Sequence, residues 1–145
     1  MRTCRVRVYG KINMFLDVVG KTGEYHSLDS VVCTVNVFDD VTVTARRDEK
    51  IVLKTGGGLY SVNDSCDNNA YRAAKAFSET FHTRGVDISL RKNIPVGGGL
   101  GGSSADIAGV LTAMKRLYGV DEDIKPLADS LGSDSGYLLT GGYAR

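Results

Sequence analysis

A glycine-rich segment at residues 94–106, Ile-Pro-Val-Gly-Gly-Gly-Leu-Gly-Gly-Ser-Ser-Ala-Asp, constrains the fold of this chain more than any other feature. Residues 86–91 before it alternate between apolar and polar side chains, which predicts a strand. After it, apolar residues recur at helical spacing from about Ser104 to Tyr118, which predicts a helix that ends at Gly119. Glycines leave backbone N–H groups accessible, and a helix start adds unpaired N–H groups and a positive dipole end. A phosphate-binding site is therefore expected here.

Three interpretations of this segment compete: a flexible capped loop, a dinucleotide-binding fingerprint and a nucleoside triphosphate loop. Five glycines in the six positions Gly97–Gly102 exceed what a helix start needs. Their spacing matches G-x-G-x-x-G, but the acidic residues in 121–123 precede a predicted helix, where the fingerprint requires the end of a second strand. A Walker A loop is excluded for this segment because residues 94–106 contain no Gly-Lys-Ser/Thr. Ser103 and Ser104 can cap the helix, contact a phosphate or help to hold magnesium.

The remaining pattern predicts an α+β domain, with strands in the first half and helices in the second. Strands are predicted at residues 4–8, 12–19, 31–37, 41–44 and 51–53. A helix should begin after residues 65–68, which include several good N-caps, and should run to about Thr83 with Gly85 as its terminator. A third helix is expected near 124–130, and a strand is expected from Tyr137 onward.

Composition narrows the possible partners. Hydrophobic residues make up 42% of the chain and charged residues 24%, and the formal net charge is +1, so no strong field favours nucleic acid or an anionic membrane. No apolar run is long enough to span a bilayer. The three cysteines fit neither a zinc site nor a redox pair, and reduced thiols in a cytoplasmic protein are the expectation.

The segment Pro95–Ala105 resembles the phosphate loop of the GHMP kinases, and four further segments resemble motifs of that superfamily in the same order. They are Gly10–Leu16, Gly23–Leu28, Asp67–Ala74 and Leu131–Gly142. Together they cover nearly the whole chain, and they are most similar to the branch that phosphorylates a diphosphocytidyl-linked methylerythritol in the non-mevalonate isoprenoid pathway. The resemblance implies a ribosomal protein S5 domain 2-like fold, with a strand-rich first half and helices on one face of the sheet. Residues 1–145 would be the ATP-binding domain, and the C-terminal domain of such kinases would be missing.

The resemblance also implies residue roles in an ATP- and Mg²⁺-dependent transfer to a substrate hydroxyl. Asp134 would accept the hydroxyl proton, and Lys11 would keep that carboxylate ionised and offset charge on the transferring group. Asn13 would contact the substrate, and Tyr25 and His26 would hold its cytosine. The ATP-binding residues would be Pro95, Gly97, Gly98, Gly99, Leu100, Gly101, Gly102, Ser103, Ser104 and Asn68. No dedicated protein ligands for a metal are expected, because magnesium would arrive with ATP.

Two departures from the family pattern keep other functions open. Ser135-Gly136-Tyr137 replaces the usual Val-Pro-Phe after Asp134, which loosens the turn that aims the carboxylate. The second departure is the missing C-terminal domain. Because the active site of these kinases lies between two domains, this chain alone should turn over substrate poorly. The alternatives are a GHMP kinase with another acceptor, such as homoserine or mevalonate, and a catalytically silent nucleotide-binding or regulatory module. The Tyr25 and His26 motif favours the cytidine-linked substrate.

Overall fold

The protein is described by a computed structural model that covers residues 2–22, 25–140 and 143–144, with side chains for 2–14 and 31–140. In chain order, the elements are β1 (Thr3–Thr22), β2 (Tyr25–Ala45), β3 (Ile51–Thr55), α1 (Asn69–Phe81), β4 (Val86–Arg91), α2 (Gly102–Tyr118), α3 (Lys125–Leu131), α4 (Ser135–Leu138) and β5 (Tyr143–Ala144). Strands precede most of the helices, and the predicted α+β class is confirmed.

The strands form one five-stranded sheet in the order β1-β2-β4-β3, with β5 paired to β2. β1 and β2 make a long antiparallel hairpin whose register runs from Thr3 opposite Thr44 to Thr22 opposite Tyr25. β4 is antiparallel to β2 and parallel to β3, so α1 is the crossover of a β3–α1–β4 unit. The sequence predicted two separate strands within β1 and two within β2. In the structure β1 and β2 are each continuous, because local register shifts let the hairpin continue through its irregular positions.

The core lies between one face of the sheet and the helices α1 and α2. On β4, Val86, Ile88 and Leu90 are buried while Ser89 between them is exposed, so the sheet has one packed face and one wet face. α2 lies in the centre and is buried around most of its circumference. Its Gly109 allows a close approach to the hairpin, because an added Cβ would lie 2.6 Å from Val8 Cγ1.

The ends of α1 and α2 agree only partly with the sequence predictions. Asn68 caps α1 as expected, since its side chain accepts a hydrogen bond from the backbone N–H of Ala70 at 2.8 Å. The prediction that Gly85 ends α1 is wrong, because His82 terminates it in the left-handed conformation. Gly85 is instead required by packing, since a Cβ there would collide with the carbonyl of Lys50. α2 ends at Gly119 as predicted but begins two residues earlier than expected.

The sequence prediction for the tail was also partly wrong. Residues 135–138 form a short helix, and among the described residues after them Tyr143–Ala144 form a strand, against β2. A short apolar run such as Tyr137-Leu138-Leu139 fits a buried strand or a helix equally well, and packing decides between them. Leu138 and Leu139 pack against the core from the helical turn. Across the described part of the chain, none of the helices is long and apolar enough to cross a membrane.

Candidate active site

The glycine loop joins β4 to α2 and is open to a ligand. Gly97, Gly99 and Gly101 have φ angles of 73°, 73° and 72°, a region that favours glycine over other residues. A Cβ built on Gly97 or Gly99 would meet nothing within 4 Å, so the backbone there faces open space. The space is a cavity of about 480 Å³, and residues 95–104 form one of its walls. The loop therefore has the shape of a cradle for an anionic ligand.

The N-terminus of α2 also faces this cavity without a side-chain cap. Gly101 occupies the N-cap position, and no side-chain hydrogen bond closes this end of the helix. Of the three roles considered for Ser103 and Ser104, capping is therefore wrong. Both serines line the cavity, Ser103 exposed and Ser104 half-buried. The uncapped end of a 17-residue helix favours a negative charge at this position.

Lys11 and Asp134 meet at the same cavity. Lys11 belongs to β1, and its backbone N–H donates to the carbonyl of Leu100 at 2.8 Å, which ties the hairpin to the glycine loop. Its side chain is buried, and Nζ lies 3.6 Å from Oδ2 of Asp134, whose side chain is one-third exposed. Gly101 makes room for this lysine, because a Cβ there would lie 3.1 Å from Lys11 Cγ. The pair is therefore held beside the cradle by the hairpin and the start of α4.

The segment after Asp134, where the sequence departs from the family pattern, forms a short helix. Ser135 and Gly136 are buried in the short helix α4, which begins directly after Asp134. Glycine is required at position 136 by packing, because an added Cβ would collide with the carboxylate of Asp129. The backbone of Leu138 donates to the carbonyl of Asp134 at 3.0 Å. A helical turn therefore follows Asp134 directly and is hydrogen-bonded to its backbone carbonyl.

The other predicted contact residues are placed to different degrees. Asn68 lines the cavity, and its side chain also donates to the carbonyl of Asn63 at 2.7 Å, so it links the cavity wall to the α1 cap. Asn13 lies two residues after Lys11 on β1 and is exposed. The side chains of Tyr25 and His26 lie outside the described residues, and only their strand pairing is defined.

The sequence reasoning missed a buried ionic cluster under the glycine loop. Lys92 forms an ion pair with Asp39 and a second one with Asp106, at 2.8 Å from Asp106 Oδ2. All three residues are buried. The signal was available, because Asp39 follows a β-branched strand segment and Asp106 lies directly between the apolar residues Ala105 and Ile107 of α2.

The charges in this cluster shift the pKa values of its members. Burial acts to lower the pKa of Lys92, but the carboxylates of Asp106 and Asp39 outweigh it and raise the value. Burial, together with the contact to Asp39, raises the pKa of Asp106 well above its ordinary value. Oδ1 of Asp106 is buried and has no hydrogen-bond partner. The cluster thus holds one ammonium between two carboxyl groups, and burial favours the protonated form of Asp106.

A dedicated metal centre is not formed by the described side chains: no group of three or more His, Cys, Asp or Glu there could hold a metal ion. The cradle does fit the phosphates of a nucleotide, because open glycine backbone and a free helix N-terminus point into one cavity. A magnesium ion bound to such phosphates needs few protein oxygens. Ser103, Ser104 and Asp134 provide oxygen atoms along the wall.

These features define a class of protein. The profile of the GHMP kinases N terminal domain matches residues 68–143, and the chain belongs to the GHMP kinase family. It is 39% identical to the 4-diphosphocytidyl-2-C-methyl-D-erythritol kinase of Clostridium beijerinckii over an alignment of 145 positions, which covers 97% of this chain and 51% of that protein. It is also 39% identical to the kinase of the same name from Cutibacterium acnes, covering 98% of this chain and 49% of that protein.

Solved structures agree with this family. A crystal structure of 4-(cytidine 5'-diphospho)-2C-methyl-D-erythritol kinase matches with a TM-score of 0.79 and 33% identity, covering 98% of this chain and 52% of that one. A homoserine kinase from Cytophaga hutchinsonii matches with a TM-score of 0.71 at 18% identity, covering 97% of this chain and 43% of that one, and this likeness concerns the fold alone. The chain spans about half the length of the relatives it matches.

Proposed function

We propose that this chain is the ATP-binding half of a cytoplasmic kinase that phosphorylates a hydroxyl group of 4-diphosphocytidyl-2-C-methyl-D-erythritol in the non-mevalonate isoprenoid pathway. The observation that carries the proposal is the Lys11–Asp134 pair beside the glycine loop, in one cavity. The names of the relatives supply the substrate. The Lys11 and Asp134 roles that the family resemblance implied fit this geometry.

Asp134 is the group that accepts the proton of the substrate hydroxyl in this proposal. Its carboxylate is one-third exposed, so it is accessible from the cavity. At the observed 3.6 Å, the attraction to the Lys11 ammonium is between about 1 kcal/mol in water and about 5 kcal/mol at an effective dielectric constant of ~20. Partial exposure places the pair toward the lower value. Lys11 thus stabilises the carboxylate and is close enough to offset negative charge that develops on the transferring group.

The glycine loop positions the nucleotide in this proposal. Backbone N–H groups of residues 97–102 and the free start of α2 bind phosphate oxygens, and Pro95, Leu100 and Asn68 form adjacent parts of the wall. Ser103 or Ser104 would help to hold the magnesium ion that enters with ATP, and that ion would neutralise phosphate charge. The chain itself would contribute orientation, one carboxylate and one ammonium, to which magnesium and the closure of the cleft by the second domain would be added.

Residues 1–145 are proposed to be one domain of a two-domain kinase. The matched relatives are about twice as long as this chain. Asn13, Tyr25 and His26 on the hairpin would contact the acceptor substrate, and the C-terminal half of the same protein would close the cleft. The isolated 145-residue chain should bind ATP but should turn over substrate poorly.

The test is a coupled assay of ADP release by the full-length protein with diphosphocytidyl-methylerythritol, in the wild type and in Asp134→Asn. The substitution removes the proton acceptor but keeps the shape, so we expect kcat to fall by at least ~100-fold with little change in ATP affinity. Asp121→Ala, an exposed aspartate beyond the end of α2, is the matched control and should behave like wild type. ATP binding without turnover in the wild type would exclude this acceptor and would favour either a GHMP kinase with another acceptor or a silent nucleotide-binding module.

A further inference from the structure

The buried cluster of Lys92, Asp39 and Asp106 connects three elements at the base of the glycine loop. Asp39 comes from β2, Lys92 follows β4 at the start of the loop, and Asp106 lies just over one turn into α2. Oδ1 of Asp39 accepts hydrogen bonds from the backbone N–H of Asn93 at 2.6 Å and of Ile94 at 2.8 Å. The first residues of the loop are therefore fixed to the sheet through one carboxylate.

The second anchor is the contact between Lys92 and Asp106. Nζ of Lys92 donates to Oδ2 of Asp106 at 2.8 Å, across 14 positions of sequence. The residues between them include the whole glycine loop, so this ion pair fixes one end of the loop relative to the other. Glycine backbone has little conformational preference of its own, and three of the intervening glycines are at positive φ. The shape of the loop therefore depends on how its two ends are held.

Stability alone is a weak reason for such a cluster. Buried ion pairs carry a desolvation penalty that often exceeds their attraction, and apolar residues of similar volume commonly serve as well. The surroundings here are apolar: Ile94, Ala105 and Ile107 are all buried beside the cluster. Lys92 and Asp106 also both line the cavity that the glycine loop faces. The location favours a role in binding over a role in packing.

We propose that Asp106 and Lys92 are positioning residues that set the distance between the two ends of the glycine loop and thereby determine its affinity for the phosphates of a nucleotide. This inference rests on the proposed function, because it assumes that the loop binds a nucleoside di- or triphosphate. It assigns the cluster to phosphate binding and not to recognition of the nucleoside. Weakening the cluster should therefore reduce the affinity for ADP while leaving the affinity for adenosine unchanged.

The experiment measures dissociation constants for ADP and adenosine with the full-length protein, both as competitors of a fluorescent ADP analogue. Asp106→Ala removes the partner of Lys92, and we expect at least about tenfold weaker ADP binding, which corresponds to about 1.4 kcal/mol. Asp106→Asn keeps an oxygen that accepts from Lys92 and should bind ADP within about threefold of wild type. Asp40→Ala is the matched control, because Asp40 is an adjacent buried carboxylate that pairs with Arg5 and Arg7, away from the loop.

The outcomes separate the possible explanations. Loss of ADP affinity in Asp106→Ala with unchanged adenosine affinity, and recovery in Asp106→Asn, supports the inference. Equal weakening of both ligands, or no weakening of ADP, overturns it. Failure of the wild type to bind ADP rejects the proposed function itself and the inference with it. If Asp106→Ala does not fold, Asp106→Ser replaces it, because serine keeps a polar group at the site but is too short to reach Lys92.

Discussion

Gly101 is the point at which backbone conformation and the proposed catalytic pair depend on each other. It starts α2 with a φ of 72°, and an added Cβ would lie 3.1 Å from Cγ and 3.3 Å from Cε of Lys11. Gly119 ends the same helix with a φ of 62°, but an added Cβ there would meet nothing within 4 Å. Both glycines thus adopt the left-handed backbone conformation, but of the two Gly101 alone lies next to Lys11.

Alanine at both positions allows the two effects to be separated. Left-handed backbone costs an L-residue about 1–2 kcal/mol, so Gly101→Ala and Gly119→Ala should each lower the free energy of unfolding by about that amount. Gly101→Ala should additionally displace the Lys11 side chain by a few tenths of an ångström. The Lys11–Asp134 distance is already 3.6 Å, so this displacement weakens a contact at the long end of the ion-pair range. Because misplacement by about 1 Å can reduce a rate by ~100-fold, we expect kcat to fall by about tenfold in Gly101→Ala.

Urea unfolding of both variants gives the stability change, and the coupled ADP-release assay on the full-length protein gives kcat. The expected result is a similar loss of stability in both variants and a loss of kcat in Gly101→Ala alone. Equal kcat values in the two variants would show that the contact of Gly101 with Lys11 does not position the pair. If Gly101→Ala and Gly119→Ala both have the wild-type kcat, and Lys11→Met has it too, Lys11 has no part in the proposed mechanism.

Three further predictions concern the fold and the buried cluster. Phe77 is fully buried in α1 and lies 4.7 Å from the ring of Phe81, so Phe77→Ala should lower the free energy of unfolding by about 3–5 kcal/mol in urea titrations. Gly109→Ala should lower the free energy of unfolding by about 1–2 kcal/mol, because the added Cβ would lie 2.6 Å from Val8 and this clash outweighs the better helix propensity of alanine. Adding Val8→Ala as a second substitution should recover part of the loss. The pKa of Asp106 is raised above its ordinary 3.8 in the folded state, so the wild type should lose stability as the pH rises from about 4 through that raised value. Asp106→Asn should lack this loss in urea titrations between pH 4 and 8, and a pH dependence identical to wild type would contradict the assignment.

The glycine loop that forms the proposed phosphate cradle was predictable from the sequence because its determinants are local. Glycine conformational freedom and the unpaired N–H groups of a helix start act within about ten residues, and all of them lie in residues 94–106. The same holds for the Asn68 cap and for Gly119 at the end of α2. Lys11 and Asp134 were identified only through resemblance to a family, since a lysine after a strand and an aspartate in a turn carry no signal of their own.

Tertiary structure decided the features that depend on distant residues. The tail became a helix because Leu138 and Leu139 pack against the core from a helical turn, which the local sequence does not specify. The contact between Lys92 and Asp39 joins residues 53 positions apart, and no periodicity reports such a pair. Local rules act through neighbouring backbone, whereas a buried charge is tolerated only where the whole fold brings it a partner. The sequence alone therefore determined where the glycine loop and the start of α2 lie, and the tertiary structure decided which buried charges lie beneath them.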